Sequence, residues 1–451
     1  MNVLLAVGGS HFFRFLDGVT RRLCQGGHRV RVLHGGNRAE TSDRALVCCA
    51  AECEGFEYTE GLGGYNGSLK RVLFPASGLL TYSLYLRENH PSPVLANRNL
   101  RFIPRRLRPF TRRQPVRRVL ASDSARSALR QIVRFTPPDR GVVRTLEEEK
   151  ADVLVATPFV YHPMAQEIEF VRAARALGIP AIVAVASWDN LTTKGAFPVV
   201  PDLTLLWNEP LAQEATELHG IPPDKIGICG ALPFDYWFDM RPSGDRGAFC
   251  RRVGLDPQRP FVAYLCSSGL AGPPEDTLVR ELMRALGTDA GTRDIQVLVR
   301  PHPFYASIWE DFEEPNATLW PPGGELPDVE GARQDYYDSL FFSSGAVGLN
   351  TSAFLEAAII DRPCISIISD AYQRDQGGRG HFRHLAHAGF LEFAHGVGDA
   401  VRRVRRMVNG ADDRAAERRA FVRSFIRPLG LDTPAREVAA QMVIDSARRR
   451  A

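Results

Sequence analysis

Lysine is nearly missing from this chain. It occurs only at Lys70, Lys150, Lys194 and Lys225, so almost all of the 56 basic residues are arginine. Such a skew follows GC-rich coding as readily as function. No run approaches the ~18 consecutive apolar residues of a membrane-spanning helix. The opening, Met1-Asn2-Val3-Leu4-Leu5-Ala6-Val7-Gly8-Gly9, lacks a basic leader and stops being apolar too early for a signal peptide, so a buried first strand is expected. The eight cysteines, at 24, 48, 49, 53, 229, 250, 266 and 364, lack the paired spacing of a zinc site or a disulfide framework. Cys48, Cys49 and Cys53 sit close together, but no nearby histidine or fourth cysteine completes a tetrahedral set. The expectation is small core residues, no metal and a reducing cytoplasm. An excess of one charge is missing too: the net charge of +4 is too small for a nucleic-acid sleeve, so no nucleic-acid partner is expected and any basic surface is local.

What is present is globular. The 451 residues, 44% hydrophobic and 24% charged, suffice for two or more domains with their own cores. Short apolar runs alternate with helical patterns, the mark of parallel sheets covered on both faces. Strands are expected near 3–7, 29–33, 153–156, 181–186, 203–207 and 226–229, then near 261–266, 295–299, 347–349 and 364–368. The fold class is therefore α/β, with two Rossmann-like doubly wound domains. The expected boundaries are 1–232 for the first domain, 233–425 for the second, and 426–451 for a C-terminal helix packing back on the first. Gly/Pro-punctuated residues 230–234 and 241–244 are taken as the linker. Residues 61–149 fit no βα pattern and are expected to be a helical insertion. From residue 90 to 122 this insertion has no acidic residue and nine arginines. Phe102, Ile103, Leu107 and Phe110 lie among them, a mixture that suits an anionic membrane surface; the alternative is a solvated arginine-rich face.

In open parallel sheets, ligands bind beyond the carboxyl ends of strands. Polar clusters at such ends are Gly8-Gly9-Ser10-His11, Ser187-Trp188-Asp189-Asn190-Leu191-Thr192-Thr193-Lys194-Gly195, Ser267-Ser268-Gly269, Arg300-Pro301-His302-Pro303 and Asn350-Thr351-Ser352. Two such edges facing one another make a cleft. Asn350-Thr351-Ser352 opens a helix that is apolar except for Glu356, suiting a phosphate at its start and a ribose one turn in; the alternative is a simple cap. Arg300 and His302, stiffened by prolines, suit a diphosphate, unless they pair with Asp or Glu. Ser268 and His381, the latter in a glycine-rich loop, complete the expected donor-binding set. His11 is placed to take a proton from an acceptor hydroxyl, with Asp189 as its rival or partner. Ser10, Trp188, Asn190 and Lys194 are expected to line the acceptor side.

Together these features resemble a GT-B glycosyltransferase. The string from Ser187 to Gly195 resembles a bacterial glycosyltransferase-like group found with surface-carbohydrate genes. Trp207-Asn208-Glu209, His219-Gly220-Ile221-Pro222, Phe234-Asp235-Tyr236-Trp237-Phe238, Arg300-Pro301-His302-Pro303, Asp335-Tyr336-Tyr337-Asp338 and Asn350-Thr351-Ser352 with Glu356 extend the likeness over residues 150–390. The resemblance implies transfer of a sugar from a nucleoside diphosphate to a hydroxyl, with the donor bound mainly by the second domain and the acceptor by the first. The arginine-rich stretch adds the expectation of a carbohydrate or lipid-linked acceptor at the inner face of the plasma membrane. The nucleotide-sugar is then a co-substrate, and no cofactor or catalytic metal is implied. Many retaining members carry two glutamates separated by seven residues. Counting from Glu356 gives Gly348 and Cys364 instead, which favours inversion with a protein base. A non-hydrolysing UDP-sugar 2-epimerase shares the fold, but its Gly-Thr-Arg-Pro-Glu opening is absent. A polyol-phosphate transferase of teichoic-acid type uses a similar Arg-Pro-His-Pro loop, but Leu349-Asn350-Thr351-Ser352 replaces its Asp-Tyr-Ser-Ser. A non-catalytic nucleotide-sugar binder is the remaining alternative.

Overall fold

The structure, a computed structural model, describes residues 1–36, 43–160, 165–267, 273–372 and 380–449. The chain forms two units: Met1–Asp235 with Ser424–Ala451, and Tyr236–Arg423.

The first unit is built on β1 (Asn2–Val7), β2 (Arg29–His34), β3 (Phe56–Glu60), β4 (Val153–Thr157), β5 (Ala181–Ala184), β6 (Leu203–Leu206) and β7 (Ile226–Ile228). These pair in the order β3-β2-β1-β4-β5-β6-β7, every neighbour parallel. The central strands are apolar throughout because helices cover both faces, and every residue of β4 is buried. Val3, Leu5 and Val7 pack with Val19 and Leu23 of the first long helix and with Ala439 and Val443 of the last, Ala435–Arg448. Between β3 and β4 run the helices Lys70–Leu84, Gln114–Ala121, Asp123–Phe135 and Arg140–Glu149, with shorter turns. Leu80, Tyr82, Leu100 and Ile103 give this insertion an apolar cluster of its own.

The second unit carries β8 (Phe261–Leu265), β9 (Gln296–Arg300), β10 (Ala317–Leu319), β11 (Ala346–Gly348), β12 (Cys364–Ile368) and β13 (Leu391–His395). Their order is β10-β9-β8-β11-β12-β13, again all parallel. Its core joins Val262, Tyr264, Val297 and Val299 to Leu282, Leu286, Val401 and Val404. Each sheet thus starts at an interior strand, grows to one side, then reverses: between β1 and β4 in the first unit, between β8 and β11 in the second. Such a reversal opens a crevice at the carboxyl ends of the two flanking strands.

The division between the units falls between the two Gly/Pro-punctuated stretches, 230–234 and 241–244. The units part at Asp235/Tyr236, inside the short helix Asp235–Asp239. Asp235 is buried and binds Arg427 Nη2 at 3.0 Å and the amides of Ala435 and Arg436 at 2.9 and 2.6 Å, so exit and return are tied together within the first unit. Ser243, placed in the linker by its proline and glycine neighbours, is bonded to Asp338 of the second unit through its amide and hydroxyl.

Candidate functional site

In the first unit Ser10 and His11 leave β1 in a 3-10 turn, Ser10–Phe15, on one flank of the reversal. Ser10 is buried; His11 is half-buried, its ring centroid 4.0 Å from that of Phe12. The segment Ser187–Gly195 follows β5, two strands along the same edge and about 10 Å away at ordinary strand spacing. Within this segment Trp188 and Asn190 are buried in the fold, whereas Lys194 is partly exposed. Trp188, 2% exposed, sits edge-on to Phe425 in the core. Asn190 is buried too, accepting from the Ser187 amide at 3.2 Å and donating to Asp189 at 3.1 Å. Asp189 also accepts from Thr193 Oγ1 at 2.8 Å and faces Lys194 Nζ at 3.7 Å. The insertion fixes the segment from outside: Tyr85 donates to the Lys194 carbonyl and Arg98 to that of Thr193. From beneath, His219 Nε2 donates to Leu191 O at 2.8 Å while its Nδ1 accepts from the Phe197 amide. Burial lowers this imidazole to about 3, so it is neutral at physiological pH.

The residue that the sequence reading missed is Glu167. It stands at the start of the helix Gln166–Ala176 and is 1% exposed; its Oε1 accepts from the Phe159 amide beyond β4 at 3.0 Å. A Cβ on Gly8 would lie 2.8 Å from both of its carboxyl oxygens, so the carboxyl touches both strand ends that define the reversal. Desolvation pushes it up to about 7, against the weaker pull of the two amides it meets. The carboxyl thus lies against Gly8, at the start of the loop that leads to His11. The test used for Glu356, a lone carboxylate on an otherwise apolar helix, does not single it out, because this helix also carries Glu169, Arg172 and Arg175.

In the second unit the reversal is lined by the ends of β8 and β11. Ser267 donates through its amide at 3.0 Å and its hydroxyl at 2.6 Å to Glu275 Oε2, and Tyr264 OH donates to Glu275 Oε1 at 3.0 Å. Burial raises Glu275, and these donors oppose the rise. Asn350 and Thr351 follow β11, both nearly buried, and Thr351 Oγ1 accepts from the Ala353 amide at 3.3 Å. Ser352 is exposed and makes no side-chain cap to the seven-residue helix Ala353–Ile359. Glu356 is half-buried in that helix and acts electrostatically on Tyr336, whose phenol is raised well above its usual range by burial first and by Glu356 next, against Arg300. His302 follows β9; its Nδ1 accepts from the Phe304 amide at 3.2 Å, which puts the proton of the neutral ring on Nε2. His381 is buried at the start of the helix Phe382–His387.

Arg300 departs from expectation. At 5% exposure its guanidinium is held by Asp335 Oδ2 at 2.8 Å and Ser339 Oγ at 2.9 Å and lies over the Tyr336 ring. A desolvated guanidinium has to meet a carboxylate inside the fold, so Arg300 braces the strand end rather than offering a fork to a ligand. Asp335 also accepts from Trp320 Nε1 at 2.8 Å and pairs with Arg252 at 3.0 Å. The Asp335-Tyr336-Tyr337-Asp338 string is therefore a brace as well. Ser268 lies outside the described residues. Among those described, no cluster of three or more His, Cys, Asp or Glu side chains is placed to hold a metal. All eight cysteines are free; Cys49 and Cys53 pack with sulfurs 3.7 Å apart.

Two doubly wound parallel sheets, each with its reversal edged by polar loops, define the GT-B fold. Solved structures agree. The chain is similar to the UDP-GlcNAc 2-epimerase of Neisseria meningitidis bound to UDP-GlcNAc, with 11% identity and a TM-score of 0.56 over 99% of this chain and 100% of that one. It is similar to the UDP-GlcNAc 2-epimerase of Methanocaldococcus jannaschii, with 11% identity and a TM-score of 0.54 over 98% and 100%. A glycosyltransferase from Rickettsia africae matches at 10% identity and a TM-score of 0.52, over 100% of this chain and 98% of that one. No family model matches the chain, and no curated protein matches it.

Proposed function

We propose that this protein is an enzyme that binds a nucleoside diphosphate sugar on its second unit and transfers the sugar to a hydroxyl acceptor with inversion. One observation carries the reading: Ser267, Asn350 and Thr351 edge the reversal of the second sheet, with Glu356 on the helix that follows and His302 beyond the neighbouring strand. Polar loops at that edge suit a diphosphate, a half-buried carboxylate one turn on suits a ribose, and His302 Nε2–H suits the phosphate charge. His11 acts as base, because Asp189 is committed to Thr193, Asn190 and Lys194. Its neutral imidazole takes the acceptor hydroxyl proton as the oxygen attacks the anomeric carbon and the nucleoside diphosphate leaves. Glu356→Gln is expected to weaken UDP binding in calorimetry about tenfold, the value of one charge-assisted hydrogen bond, with an unchanged melting temperature. Unchanged affinity removes Glu356 from the site.

A second reading, 2-epimerisation of the bound sugar, is favoured by the full-length likeness to UDP-GlcNAc 2-epimerases. A panel of nucleotide-sugars separates the two. Nucleoside diphosphate released only when an acceptor is present supports transfer, whereas a C2 epimer formed without acceptor supports the second reading. Binding with neither product reduces the protein to a nucleotide-sugar binder.

A further inference from the structure

The insertion between β3 and β4 is about a fifth of the chain, yet it holds eight of the thirteen large apolar side chains exposed among the described residues. Exposed single hydrophobes are ordinary; their concentration in one segment is not. Leu107, Phe110 and Val119 are 39%, 53% and 63% exposed. They share the surface with Arg105, Arg106, Arg112, Arg113 and Arg118, all exposed and none in an ion pair among the described residues. No acidic residue occurs from 89 to 122.

Local structure shows which arginines fold the segment and which do not. Arg108 donates to the carbonyls of Ile103 and Arg101 at 2.9 and 3.1 Å, and Arg117 to Tyr82 OH at 3.1 Å. Those two are structural. Arg113 instead lies 5.2 Å over the Phe110 ring, an exposed cation and aromatic presented together. The helix Gln114–Ala121 has no fully buried residue: Leu120 packs against the insertion's apolar cluster, while Val119 beside it is exposed. Elsewhere on the insertion an open, mainly apolar groove of about 580 Å³ runs between the start of the helix Lys70–Leu84 and Pro104, lined by Phe74 and Pro75 and by Lys70 and Arg71.

We infer that this face docks on an anionic lipid surface. The argument is charge complementarity joined to apolar exposure. A nucleic-acid face needs the arginines but gains nothing from exposed Leu107 and Val119, whereas an interfacial helix sinks its apolar side chains among acyl chains while guanidinium groups meet lipid phosphates. No helix among the described residues is long and apolar enough to cross a membrane, so this is attachment to a surface. Resting on the glycosyl-transfer reading, the inference places the acceptor in the lipid-linked class.

Flotation of the full chain with vesicles of phosphatidylcholine alone and of phosphatidylcholine with phosphatidylglycerol tests it. Binding is expected only to the anionic vesicles, weakening with added salt. Each arginine near an anionic surface contributes about 1 kcal/mol, or about fivefold in binding, so Arg112→Glu with Arg113→Glu is expected to cost at least 25-fold by the same scale. Phe110→Ser with Val119→Ser is expected to reduce binding while leaving its salt dependence. All four side chains are exposed, so melting temperatures are expected to match the wild type. No binding to anionic vesicles, equal binding to neutral ones, unaffected variants, or a stronger preference for a polynucleotide overturns the inference. UDP calorimetry on the same variants keeps the two proposals apart, since lost docking with intact UDP binding bears on the face alone.

Discussion

Glu167 and His219 are both buried in the first unit, and both favour their uncharged forms, so their linkages to pH oppose one another. Glu167 is raised from 4.5 to about 7, so between those values the folded state holds a proton that the unfolded chain has released. Stability from this group falls as pH rises through that window, on the order of 3 kcal/mol in all. His219 is lowered from 6.5 to about 3, so the unfolded chain binds the extra proton and stability falls as pH drops below 6.5. Denaturant melts across pH separate them. Glu167→Gln is expected to gain stability relative to wild type from pH 4.5 to 7; a flat difference would show that the carboxyl is solvated. His11 is a simpler case. His11→Ala is expected to lower turnover about 10²–10⁴-fold with an unchanged melting temperature. Asp189→Asn loosens the loop it braces and should lower both. Wild-type turnover in the His11 variant moves the base elsewhere.

The elements that the sequence concealed share one property. β3, β10 and β13 lie at sheet edges, one in the first sheet and two in the second. An edge strand in a doubly wound sheet is covered less fully, so Phe56-Glu57-Tyr58-Thr59-Glu60 carries polar residues where the central strands run apolar. Asp235 was hidden differently. It follows directly on the Gly/Pro-punctuated stretch 230–234, where nothing local shows that its carboxylate gathers Arg427 and two amides from residues about two hundred positions away. Asp235→Ala is expected to cost about 3–5 kcal/mol, the loss for breaking a buried pair from one side. Adding Arg427→Met should return part of it. If the double variant is no more stable than the single one in chemical denaturation, the pair is not the dominant link.

At the scale of the whole molecule, each unit has its own sheet and core, and the first is completed only by the last residues of the chain. Calorimetry is expected to show more than one transition, since two separately cored units need not melt together. Deleting residues 424–451 removes Phe425, Ile426, Ala439 and Val443 from the first unit's core. Its transition should then fall or vanish while the other stays in place; a common shift of both would argue for one cooperative body.

Sequence by itself determined the α/β class, the central strands, the helical arginine-rich insertion and the strand-end loops, because burial on both faces writes continuous apolar runs and leaves polar residues where strands stop. It also located His11, Asn350 and Thr351 at strand ends. Only tertiary structure decided which of those ends flank a reversal, since that depends on strand order and not on strand sequence. Only tertiary structure distinguished the arginines, pairing Arg300 with Asp335 inside the fold and leaving Arg112 and Arg113 outside it. A side chain's chemistry is local, but whether it faces a carboxylate, a core or water is set by residues far along the chain. Glu167 is the clearest instance, because its proton near neutral pH exists only where Gly8 and Phe159 close over it.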